Sequence, residues 1–151
     1  MTTAADVPTT GRFDAQEHRF PIRVYFEDTD ISGLVYHANY LRFCERARSD
    51  MLRLVGIDLR SAWERGEGTY VVRTANIRYR APVRLDDALS VISRVTRIRA
   101  AAVDIHQRVM CGDSLLVEAA IEVAFVTPRG VLRRQPKPWL EAFAPLLWKG
   151  D

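Results

Sequence analysis

Residues 40–55 read YLRFCERARSDMLRLV. Tyr40, Cys44, Ala47, Met51 and Leu54 recur at i, i+4, i+7, i+11 and i+14, the spacing of one helical face. Arg42, Arg46, Ser49 and Arg53 fall on the opposite side. Leu41, Phe43, Leu52 and Val55 widen the apolar stripe, which predicts a helix enclosed on more than one side. Gly56 is placed to end it, because glycine adopts the left-handed conformation beyond a last helical turn at little cost.

Outward from that helix the pattern changes to period two. Ahead of it, FPIRVYF from Phe20 to Phe26 predicts a strand, followed by a turn over Glu27 to Gly33. Behind it, a linker from Ser61 to Gly68 leads into four alternating runs. In the first, Val71, Ala75, Ile77 and Tyr79 share a face, with Arg73 breaking the alternation. Leu89, Val91 and Val95 form the second, and Val103, Ile105 and Val109 the third. Leu115, Val117, Ala119, Ile121, Val123 and Phe125 form the fourth. Pro82 to Asp87, Arg99 to Ala101, Gly112–Asp113 and Pro128 to Gly130 separate or end them. Connections this short exclude parallel crossovers. The expected fold is α+β, a five-stranded antiparallel sheet wrapped around one long helix. Any apolar face or strand edge left over favours pairing with another copy. Trp139 to Trp148 predicts a short closing helix, kinked at Pro145. Residues 1–19, with Pro8, Thr9, Thr10 and Gly11, are expected to be a flexible leader, and 20–151 a single domain.

Composition fits that outline. A chain of 151 residues with 48% hydrophobic and 27% charged residues can bury roughly 70% of its unfolded surface without disulfide or metal staples. Two cysteines, Cys44 and Cys111, form neither a disulfide framework nor a paired zinc motif. With no apolar run long enough for a membrane span and no signal-peptide core near the start, the expected location is cytoplasmic. The formal net charge is +3, but the basic residues, nearly all Arg, are scattered among acids. Nucleic acid is therefore not the expected partner. Guanidinium groups suit phosphate, and Arg78, Arg80, Arg84, Arg94, Arg97 and Arg99 are candidates for an anionic ligand.

The densest polar cluster lies between the first strand and the helix, and as composition alone it is a turn with a helix cap. The stretch from Arg23 to Leu41, RVYFEDTDISGLVYHANYL, closely resembles the signature of the hot-dog thioesterases. The branch is the 4-hydroxybenzoyl-CoA thioesterase type, which includes the Tol-Pal-associated acyl-CoA thioesterases. Glu45-Arg46-Ala47-Arg48 and the segment NIRYRAP from Asn76 to Pro82 are similar to the same branch, so the likeness spans Phe20 to Phe125.

The resemblance implies a hot-dog fold, an acyl-CoA substrate, and a homodimer or homotetramer with active sites at the subunit interface. Coenzyme A belongs to that substrate, and no resident cofactor or metal is expected. Asp30 falls on the family's catalytic carboxylate. His37 falls at the helix start, where the family directs a backbone N–H toward the thioester oxygen. Gly33 takes the tight-turn position and, with Tyr36 and Asn39, is a candidate substrate-binding residue. Two departures stand out: Leu34 replaces the usual Ile or Val, and Phe26 stands where some relatives carry Tyr.

The chemistry is also sound without the family. A thiol with a pKa of roughly 8.5 is a good leaving group, and an Asp with a pKa of about 3.9 is already ionised at neutral pH. Such a carboxylate can attack the acyl carbon or take a proton from water. The oxyanion then needs donors, which a helix N-terminus supplies.

Other candidates carry plainer readings. Asp28 could pair with Asp30 but suits a turn cap, and Glu45 suits an i,i+3 ion pair with Arg42 or Arg48, although a related branch uses a helical carboxylate. His18 is expected to be solvated, His106 lies on the polar side of its strand, Ser32 lacks triad partners, and Cys44 suits a packed core thiol. Alternative functions are a non-catalytic acyl-CoA or acyl-carrier binding protein and a hot-dog hydratase. The hydratase fits less well, because Thr29-Asp30-Ile31-Ser32-Gly33 departs from the loop that chemistry uses.

Overall fold

The computed structural model describes residues 5–150. In chain order the elements are β1 (Arg12–Asp14), β2 (Glu17–Arg23), α1 (Asn39–Leu54), α2 (Leu59–Glu64), β3 (Thr69–Tyr79), β4 (Ala88–Ile98), β5 (Ala102–Cys111), β6 (Ser114–Val126) and α3 (Lys137–Phe143). The strands form one antiparallel sheet in the order β1-β2-β4-β5-β6-β3. The sheet curls around α1, which is the α+β hot-dog arrangement, with six strands where five were expected.

Alternation in the strands becomes a single core. Val91, Val95, Val103, Ile105, Val109, Val117, Ala119, Ile121 and Phe125 point inward and meet Phe43, Cys44, Ala47 and Met51 of α1, all essentially buried. The small side chains of Cys44 and Ala47 let the helix lie close to the sheet. The break at Arg73 is a bulge: the β3–β6 register shifts between Val72 and Thr74. An extra residue on one strand re-aims its side chain, and Arg73 makes a two-point ion pair with Glu122, both contacts at 2.9 Å. At the far end Trp139 and Phe143 of α3 pack on Tyr70, and Trp139 also packs on Phe125. The closing helix starts at Lys137, and a 3-10 turn over Ala144–Leu146 continues it.

Three expectations need correction. Residues 1–4 and 151 lie outside the described residues, but the remainder of the expected leader is not free. Arg12–Asp14 and Glu17–Arg23 form a hairpin that adds a strand to the sheet. His18 is 0% exposed rather than solvated. Its Nε2 lies 2.6 Å from Asp50 Oδ2 on α1, and Phe13 and Phe20 flank its ring. Gly11 donates its N–H to the same oxygen at 3.0 Å. A Cβ at Gly11 would sit 2.4 Å from the Arg19 carbonyl and 2.8 Å from His18 Nε2, so the close approach requires glycine.

The first long strand ends at Arg23 rather than Phe26, and Phe26–Asp28 forms a 3-10 turn. The linker holds a short helix, α2, whose N-cap Asp58 accepts from the N–H and hydroxyl of Ser61. Among the described residues no helix is long and apolar enough to cross a membrane.

Candidate active site

The polar cluster forms a folded loop between β2 and α1, and Asp28 organises it. The Asp28 side chain is buried, and its Oδ2 accepts the Tyr25 N–H at 2.9 Å, which turns the chain out of the sheet. Its carbonyl accepts the Tyr36 N–H at 2.9 Å and the Asn39 side-chain amide at 2.8 Å. Asp28 therefore caps its own turn. Asn39 is committed to the loop by the same contact.

Asp30 sits at the exposed tip. Its N–H donates to the Leu34 carbonyl and its carbonyl accepts from Gly33, both at 3.0 Å, closing a tight turn. Gly33 has φ +78°, a left-handed conformation that glycine adopts without strain. Asp30 Oδ1 accepts the Ser32 N–H at 2.9 Å and also the Ser32 hydroxyl. Oδ2 accepts no hydrogen bond among the described residues. The Ser32 hydroxyl and N–H, with a smaller contribution from His37, hold the Asp30 carboxyl below the usual carboxylate range. One oxygen is thus fixed, the other is open, and the group stays ionised.

The start of α1 lies beside this turn. The Val35 N–H donates to the Val83 carbonyl at 2.8 Å, and the Tyr79 hydroxyl donates to the His37 carbonyl at 2.9 Å. The His37 ring lies between those of Tyr36 and Tyr79, with centroids 4.6 and 6.3 Å away. The residue capping α1, Ala38, has no side-chain acceptor. The backbone N–H groups of His37 and Ala38 find no protein acceptor among the described residues. They are the orphan donors that every helix start presents. Tyr25, Phe26, Ile31, Tyr36 and Tyr79 around them are exposed, with Phe26 at 81%.

The remaining candidates find other places. Cys44 is buried, and burial pushes its thiol up to about 11, consistent with a packed core residue. His106 Nε2 lies 2.9 Å from Glu118 on the outer face of the sheet. The Ser32 hydroxyl is engaged by Asp30. Glu45 makes no ion pair among the described residues, because Arg48 turns inward and donates to Gln107 Oε1 at 2.8 Å. Of the arginines considered for an anion, Arg80 pairs with Glu118, Arg94 with Glu17, and Arg99 with Asp104 and Glu122.

A cavity of about 310 Å³ opens between α1 and β3. Leu52, Tyr70, Val72, Ile105, Val123 and Phe143 form its apolar walls, with Glu45, Arg48 and Ser49 on the helix side. Neither Asp30 nor His37 of the same chain lines it. Sequence reasoning missed Arg48 and Gln107. The available signal was Gln107 itself, a polar residue at an inward position of the run Val103, Ile105, Val109.

A sheet wrapped on one long helix is the fold of thioesterase-type proteins. The model of the thioesterase-like superfamily matches residues 24–146. The acyl-CoA thioesterase YbgC of Haemophilus influenzae is 41% identical over 107 residues, covering 71% of this chain and 79% of that protein. The acyl-CoA thioester hydrolase YbgC of Escherichia coli is 40% identical over 120 residues, covering 79% and 87%. The crystal structure of a probable thioesterase from Bartonella henselae matches with a TM-score of 0.75 at 41% identity, covering 80% of this chain and 98% of that one. The chain belongs to the thioesterase-like superfamily and is a thioester hydrolase.

Proposed function

We propose that this protein hydrolyses acyl-CoA thioesters to the free acid and coenzyme A, with Asp30 as nucleophile or general base. The carrying observation is the asymmetry of the Asp30 carboxylate, with Oδ1 held by Ser32 and Oδ2 open. In either role the acyl carbon gains an oxygen and the C–S bond breaks. The thiolate then leaves without a strong acid to protonate it. The free N–H groups of His37 and Ala38 bind the developing oxyanion, where one such donor is worth about 3–4 kcal/mol. Gly33 keeps the turn tight, and Tyr36 flanks the bound thioester. Water and the carboxylate complete the reaction, with no resident cofactor. Free thiols at Cys44 and Cys111 suit a reducing cytoplasm.

The same reading requires a second copy. Among the described residues β3 pairs with β6 alone, so the N–H and C=O groups that point to its other edge stand unpaired, an arrangement that invites another strand. Antiparallel self-pairing about the middle of β3 sets the Tyr70 end of one copy beside the Tyr79 end of the other. Paired strands lie about 4.8 Å apart. The cavity beside Tyr70 and Val72 then adjoins the second copy's Tyr79–His37 corner. This explains why Asp30 and the cavity lie apart in one chain: each subunit supplies the carboxylate for the cavity of the other.

Thiol release from benzoyl-, short-chain and long-chain acyl-CoAs, followed with a disulfide dye, tests the proposal. The expected result is turnover that drops by about 100-fold or more in Asp30→Asn. Turnover that survives the substitution moves the chemistry away from Asp30. Binding of acyl-CoA without turnover makes the protein a carrier instead.

A further inference from the structure

Arg48 is a cation in an apolar setting. It is only 8% exposed, and among the described residues no carboxylate lies within 4 Å of its guanidinium. Of its five N–H donors, one on Nη1 is accepted by Gln107, and no other finds a protein acceptor among the described residues. Gln107 is wholly buried and is itself fixed, since its amide donates to the Cys44 carbonyl and the Ser93 hydroxyl, both at 2.9 Å. The guanidinium is therefore aimed by a rigid support, with its other donors facing the cavity.

Burying a charge without a partner is unfavourable by several kcal/mol unless something completes its hydrogen bonds. Glu45 does not complete them. It is exposed at the cavity rim, where water screens it, and acts on Arg48 only at longer range. An apolar cavity with one oriented donor group is the usual construction of a selective small-molecule site.

We propose that Arg48 reads the far end of the acyl group, so that the cavity favours acyl chains ending in an oxygen acceptor, a carboxylate above all. This rests on the thioesterase reading and names the substrate class for it. Arg48 is a specificity residue: it acts on the end of the acyl chain remote from the thioester. Removing the terminal oxygen from the substrate leaves the cavity-facing donors of the guanidinium without a fixed acceptor, which is how a polar site rejects an apolar analogue.

The test uses three acyl-CoAs of equal chain length: hexanoyl, 6-hydroxyhexanoyl and adipoyl. In the native protein adipoyl-CoA should exceed hexanoyl-CoA in kcat/KM by about tenfold or more, with the hydroxy substrate between them. Arg48→Met should erase the ratio, lowering kcat/KM for adipoyl-CoA about tenfold more than for hexanoyl-CoA. Gln107→Glu, which gives Arg48 an internal anion, should erase it while keeping the arginine. A purely structural role for Arg48 would change all three substrates together. Equal kcat/KM for adipoyl- and hexanoyl-CoA in the native protein overturns the proposal, whatever the variants do. Absence of turnover on all three and on the benzoyl-, short-chain and long-chain acyl-CoAs defeats the hydrolase reading instead. Calorimetric binding of adipoyl-CoA against hexanoyl-CoA then decides the preference.

Discussion

The hydroxyl of Tyr79, at the end of β3, donates to the backbone carbonyl of His37 at 2.9 Å. One hydrogen bond thus joins the open sheet edge to the segment that leads into α1. The bond fixes the peptide plane just before α1, so it bears on the direction of the N–H groups there.

Tyr79→Phe removes that bond and keeps the ring packed on Tyr40 and His37. A hydrogen bond of this kind contributes about 1 kcal/mol, and about 1.4 kcal/mol is tenfold in rate. The expected outcome is a fall in kcat of up to about tenfold, with an almost unchanged melting temperature. Steady-state kinetics beside a thermal melt check it, and an unaltered kcat removes Tyr79 from the positioning of the helix start.

Ser32 sets the ionisation of Asp30 through two hydrogen bonds to one oxygen. Because the folded carboxyl titrates below its usual value, the active anion persists to lower pH than an ordinary aspartate allows. The acid limb of kcat/KM should therefore fall below about pH 4. Ser32→Ala removes the hydroxyl contact and should move that limb upward, with the plateau near neutrality little affected. A limb that stays in place in the variant separates Ser32 from the reacting carboxylate.

Self-pairing along β3 brings Thr74 and Asn76, on the outer face of the strand, against the same segment of the second copy. The double substitution Thr74→Glu with Asn76→Glu sets like charges against each other across the two-fold axis, which disfavours antiparallel pairing. Both positions are exposed in the single chain, so folding of the subunit should survive. Light scattering after size exclusion should show a dimer or tetramer for the native chain and a monomer for the variant, with thioesterase activity lost on dissociation. A fully active monomer would detach the site from the interface.

Which parts of this were legible in the sequence follows from the length of each signal. The helix from Tyr40 onward repeats its apolar face over four turns, and the structure begins α1 one residue earlier, at Asn39. The break at Arg73 marked a real bulge because one extra residue inverts an alternating pattern. The β1–β2 hairpin was hidden for the opposite reason. β1 has three residues, and the turn carries Ala15 at φ +53° rather than a glycine or asparagine signal. His18, Phe20 and Ile22 do alternate, but a histidine among the apolar positions reads as an interruption until Asp50 is placed beside it. The Asp30 turn was readable because its residues are contiguous. The cavity was not, because it joins positions as distant as Glu45 and Phe143, and no local spacing records that.

His18 makes the attachment of the hairpin acid-sensitive. Burial lowers its pKa below the ordinary histidine value, although its hydrogen bond to Asp50 opposes the shift. The structure favours the neutral ring: with Nε2 directed at Asp50, Nδ1 has no partner and would become an orphan donor on protonation. The unfolded chain takes up this proton near pH 6.5, above the folded value. Stability from His18 is therefore complete above about pH 6.5 and declines as pH falls toward the folded pKa, because the unfolded state then binds more protons. His18→Gln keeps a donor for Asp50 and cannot titrate. Between about pH 7.5 and 5.5 the native melting temperature should drop more than that of the variant. Equal drops would show that the hairpin stays docked irrespective of the charge on His18.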